Sequence, residues 1–252
     1  MNRLQDVRLL KFKTKGENDM KKMIQKVPIL LCGVMLGFAA LGNLLQSYGE
    51  GIRYVCGGIA TFLLILQMPK VFASYFIVYV GIAVAAVTAP AFEELAIGAG
   101  AFWFGFLTLI GLLVLVTIRY MKYKEIPEPA KPLFCIYAAP TSLCVAGYVQ
   151  SVTPKSREFL LTMLLVATVL YVLALVKAIS YLKLKFYPSY AAFTFPFVIS
   201  AIATKQTMVC LANMKQPIPM LRYVVLIETV IAVLFMIYTF IRFLQFIFVD
   251  HK

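Results

Sequence analysis

The sequence predicts an all-α polytopic membrane protein with eight transmembrane helices, and three observations carry that prediction. Of 252 residues, 62% are hydrophobic and only 14% charged, with a mean hydropathy of +0.88. Apolar runs of roughly 20 residues, the length that crosses ~30 Å of hydrocarbon, recur along nearly the whole chain. Lys and Arg fall between those runs rather than in one folded basic module. A soluble domain of this size has no interior large enough to hide so much apolar surface.

Residues 1–27 read as a basic cytoplasmic tail, with Arg3, Arg8, Lys11, Lys13, Lys15, Lys21, Lys22 and Lys26. The apolar run that follows is span-length, so it reads as a first helix rather than the short core of a cleaved signal peptide. Met20 and Met23 stand just before it as alternative starts. A transmembrane domain over 28–248 then contains spans at about 28–47, 51–68, 71–91, 95–119, 132–150, 158–182, 187–212 and 221–248, and 249–252 form a short cytoplasmic C-terminus. Short connections at 48–51 and 151–157, and the Pro-rich linker over 125–132, suggest helical hairpins. In the first span, Gly33-x-x-x-Gly37 followed by Gly42 suits close helix packing.

An even number of spans puts both termini on one side of the membrane. Under that arrangement 18 of the 24 Lys and Arg residues share the side of the termini, and the excess assigns that side to the cytoplasm of a plasma (inner) membrane. The net charge of +13 is thereby accounted for without nucleic acid. Catalytic and metal chemistry find little to work with. The one histidine is His251, and the five cysteines are scattered, mostly inside spans, as buried thiols rather than a disulfide framework. No nucleophile–base pair is visible in the spans, so neither an enzyme nor a cofactor is expected.

The spans differ in character. The third ends at Pro90, the fifth contains Pro140 and the seventh contains Pro196, whereas the sixth and eighth are proline-free and rich in Leu, Val and Ile. A proline inside a span removes a backbone donor and bends the helix. In a bilayer the freed carbonyl survives only against protein or a water-filled cavity. An inner set of proline-kinked helices around a pore, ringed by straight outer helices, follows. Thr88, Thr141, Ser142 and Thr194 stand beside these prolines. Their hydroxyls either meet a passing anion or satisfy the freed carbonyls. Basic residues are read as absent from the inner spans, with Lys205 counted at the outer end, and that suits a route that conducts rather than holds. Glu228 is the one carboxylate deep in a span. Such an acid is a proton relay or ion-pair partner by default, but its outer-helix position near water or Lys205 favours an interfacial role. Glu93 and Glu94 belong to a solvated loop.

Four segments resemble a known family, the tellurite-resistance/dicarboxylate transporters, whose plant relatives are the slow anion channels of guard cells. GVMLGFAALGNLL (33–45) is similar to that family's first helix, VFASYFIVYVGIAVAAVTAP (71–90) to its fifth, PLFCIYAAPTSLCVAGYV (132–149) to its seventh and PSYAAFTFPFVISAIAT (188–204) to its ninth. The resemblance covers roughly 28–248. It implies a bundle of hairpins, assembled as a trimer, in which bent odd-numbered helices line a central pore that a phenylalanine of the ninth helix occludes. Phe195 holds the matching position. The implied function is an anion channel or transporter for small inorganic anions or C4-dicarboxylates, with tellurite or sulfite efflux as an alternative. Family members have ten helices, and the hairpin of helices three and four is absent here, at residues 66–70. That departure admits a third reading, a transport-incompetent membrane subunit.

Overall fold

The computed structural model describes residues 71–248, of which 72–248 belong to one compact unit. The basic tail, the first two expected spans, the Gly33 pattern, the junction at 66–70 and the C-terminal residues 249–252 lie outside the described residues. Among the described residues there are seven α-helices and no strand. They are α1 (Tyr75–Val80), α2 (Ala83–Thr88), α3 (Leu95–Lys122), α4 (Ala138–Ser151), α5 (Arg157–Tyr181), α6 (Phe195–Asn213) and α7 (Leu221–Phe248). Tight 3-10 segments occupy Ala89–Phe92, Glu128–Tyr137 and Pro188–Phe193.

Five helical stretches are long and apolar enough to cross a membrane: Leu95–Lys122, Glu128–Ser151, Arg157–Tyr181, Pro188–Asn213 and Leu221–Ile247. They correspond to the expected spans at 95–119, 132–150, 158–182, 187–212 and 221–248. The expected span at 71–91 is not one helix. At Gly81 and Ile82 the ladder tightens to three-residue bonds, with the Val84 N–H donating to Gly81 O and the Ala85 N–H to Ile82 O, both at 3.0 Å. Backbone angles of φ −54°, ψ −26° at Gly81 belong to a 3-10 turn. The helix is re-wound there rather than cut, and it closes in the 3-10 turn around Pro90.

The prolines also sit differently from a mid-helix kink. Pro196 is the second residue of α6 and Pro140 the third of α4, each directly after a 3-10 segment. The first turn of an α-helix is where a proline costs least, because the N–H groups there have no α-helical acceptor. The bend expected inside each span is therefore a joint between two kinds of helix. At the α6 joint Thr194 carries it, with φ −96° and ψ −86°.

Burial sorts the elements. The apolar part of Glu128–Ser151 is 83% buried, against 22% for Leu221–Ile247. That contrast makes α4 the central element. It packs against α2, α3, α5 and α6, and α6 is sandwiched between α4 and α7. Outward faces of α3, α5 and α7 expose large aliphatic side chains such as Leu107, Val176 and Leu234, a surface suited to acyl chains. Small residues allow the tightest approaches. A Cβ on Gly147 would lie 2.9 Å from Ala86 Cβ, so α4 rides directly on α2. Nearby, the Ser151 hydroxyl donates to Ala86 O. At the opposite end, the Tyr190 hydroxyl reaches the carbonyls of Tyr181 (2.9 Å) and Leu184 (3.0 Å), fastening the 3-10 segment before α6 to the end of α5.

Candidate functional site: a cavity at three proline-bearing segments

Three segments named by their prolines converge on one cavity of about 550 Å³. Its wall includes Phe76, Ile77 and Val80 of α1, Ile136, Ala139, Pro140 and Leu143 around the start of α4, and Ala192, Phe195 and Pro196 around the start of α6. The lining is overwhelmingly apolar. The polar side chain of that wall is Ser189, whose hydroxyl has no hydrogen-bond partner among the described residues.

Phe195 is distinguished from its neighbours by exposure. Phe193 and Phe197 are completely buried, whereas Phe195 is 50% exposed. Phe197 stacks on Phe235 of α7 with ring centroids 4.7 Å apart, and Phe193 meets Tyr190 at 4.8 Å. Both rings belong to a core cluster with Tyr171. Phe195, at the joint between the 3-10 segment and α6, is left out of that cluster and faces the cavity instead.

The hydroxyls beside the prolines have local partners. Thr88 donates to Val84 O (3.1 Å) and Thr194 to Ala191 O (2.7 Å). Ser142 donates to Ala138 O at 2.9 Å and lies 2.9 Å from Ser200 Oγ, which in turn reaches Pro196 O at 2.9 Å. Thr141 is buried, and its hydroxyl has no hydrogen-bond partner among the described residues. Of the prolines, Pro140 and Pro196 touch the cavity, while Pro90 lies at the far end of its segment, beside the connection into α3.

Glu228 is placed in the second turn of α7 and is 3% exposed. It lies against Thr204 of α6 and near Tyr171 of α5. Its Oε2 has no hydrogen-bond partner among the described residues. Glu93 and Glu94 are exposed in the loop before α3. Cys135, Cys144 and Cys210 are buried free thiols. Among the described residues no group of three or more His, Cys, Asp or Glu is placed to hold a metal.

One reading needs correction. Lys205 lies within α6, eleventh of its 19 residues and eight before its end, so an inner helix does carry a cation. It lines a second cavity, of about 610 Å³, with Gln150 from the end of α4, Lys155 from the α4–α5 connection, and Ile202, Gln206, Val209 and Asn213 of α6. The signal was available, since the apolar residues MVCLA continue the helix beyond Lys205.

None of the curated proteins and none of the solved structures compared with the chain matches it. A family model described as voltage-dependent anion channel (SLAC1) matches residues 26–244, and so takes in every segment that carried the resemblance. With that match over most of its length, the chain belongs to the SLAC1 family of voltage-dependent anion channels.

Proposed function

We propose that this multi-pass membrane protein passes small inorganic anions or C4-dicarboxylates along a route beside the Phe195 cavity, with the Phe195 ring as its gate. Family membership supports anion transport as such. The observation that carries the gate is the position of Phe195, a half-exposed ring on the wall of a 550 Å³ cavity, flanked by two phenylalanines locked in the core. An apolar ring in a narrow passage empties it of water and blocks ions, and moving the ring aside lets them through. The described lining of the cavity carries no fixed cation to hold an anion tightly. That suits conduction, because a conducted ion must also leave. Both termini are assigned to the cytoplasm of the plasma membrane, and the assembly to a homotrimer. The hairpin expected to be absent belongs before residue 71, outside the described residues.

The test is flux from liposomes holding the purified chain, comparing chloride and nitrate with malate. Efflux above that of protein-free liposomes supports the proposal. Tellurite or sulfite flux far above both would favour oxyanion efflux, and a silent, monodisperse protein would favour a subunit that works only with other chains.

A further inference from the structure

We propose that the cavity between the end of α4 and the second half of α6 is an anion-binding vestibule, in which Lys155 and Lys205 bind a small inorganic anion or carboxylate. The inference rests on the proposed anion route but adds a site to it.

The lining is chemically one-sided. It combines two ammonium groups with the side-chain amides of Gln150, Gln206 and Asn213, and none of its described residues is acidic. Two lysines facing one space repel each other, and an anion between them relieves that repulsion. Gln206 Oε1 is buried without a hydrogen-bond partner among the described residues, and turning the amide over presents its NH₂ there instead.

Lys205 is exposed, and its position along the helix rather than burial sets it apart from a surface charge. Lys205 lies eight residues before the end of α6, roughly 12 Å at 1.5 Å per residue. A cation at that depth in a membrane helix is costly and marks an ion pathway or a pairing site. Lys155 comes from the α4–α5 connection and lines the same cavity as Cys210 of α6.

The two cavities share a helix. Phe195, Ile202, Gln206, Val209 and Asn213 are spaced by 7, 4, 3 and 4 residues and occupy one face of α6. Phe195, Ile202 and Val209 are all exposed on that face. The vestibule therefore stands about 15 Å along the helix from the gate, at 1.5 Å per residue, and would load anions toward it.

Binding is measured apart from flux, by thermal shift of the purified chain in detergent titrated with sodium malate or sodium nitrate. We expect saturable stabilisation by at least one of these. K155Q/K205Q should weaken the apparent affinity at least tenfold, and K155R/K205R should retain it. K215Q, an exposed lysine outside the cavity, should match the unaltered chain. Equal affinity in the unaltered chain and K155Q/K205Q overturns the vestibule, whatever the flux. So does a chain that ignores malate and nitrate but is stabilised by phosphatidylglycerol and not by phosphatidylcholine, because the lysines then bind a lipid phosphate. Lysine-dependent binding without flux in liposomes keeps the vestibule and contradicts the conduction proposal instead.

Discussion

At the scale of single residues, the register of the start of α6 decides which rings pack and which one is free. Phe193 and Phe197 reach the core, and Phe195 between them does not. Hydroxyls do different work. Ser142 and Ser200 meet at 2.9 Å between α4 and α6 while each also donates to, or shares, a carbonyl near its helix start. Interhelical hydrogen bonds in membrane proteins contribute modestly, ~0.6 kcal/mol on average. A double-mutant cycle of Ser142→Ala and Ser200→Ala, read by unfolding in detergent, should give a coupling of about that size. A coupling indistinguishable from zero would mean that each serine serves only its own helix. Ser142 was picked out by its neighbour Pro140, a local signal. Ser200 was not, because the pairing spans 58 residues of sequence and no local pattern announces it.

At the scale of elements, glycines and prolines do opposite jobs. Prolines set where α4 and α6 begin, and small residues set how closely helices approach. Gly98, at the start of α3, faces Ser151 and Ala89, and a Cβ there would stand only 2.6 Å from Ala89 Cβ. Neither neighbour is the far end of a flexible chain, so Gly98→Val forces α3 away from α4. We expect a loss of about 1–3 kcal/mol from such overpacking, seen as a lower unfolding temperature. Gly100, with open space around its Cα, should tolerate Ala. The long helices were legible because apolar length is a strong signal in a membrane chain. The re-winding at Gly81 was not, since one glycine in an apolar run is also common in an unbroken span. The proline joints were half legible. Sequence marks a proline as a discontinuity, but whether the preceding residues form α-helix or 3-10 turn depends on what they pack against.

At the scale of the whole molecule, the chain belongs to an anion-channel family, and its described bundle holds two cavities to which we have assigned proposed roles. A buried central helix, α4, is shared by both cavities, one at its start and one at its end. Charge patterning predicted the membrane and its sidedness, yet by counting Lys205 at the outer end it passed over a cation that lies within α6. Bilayer energetics make such a cation improbable, and for that reason its presence is informative. The account turns on Phe195. Single-channel or liposome conductance of Phe195→Ala, set beside the unaltered chain and Phe240→Ala on the exposed face of α7, tests it most directly. Removing the gate should raise anion conductance at least tenfold while Phe240→Ala leaves it unchanged. Equal conductance in a folded, conducting Phe195→Ala protein would contradict the gate.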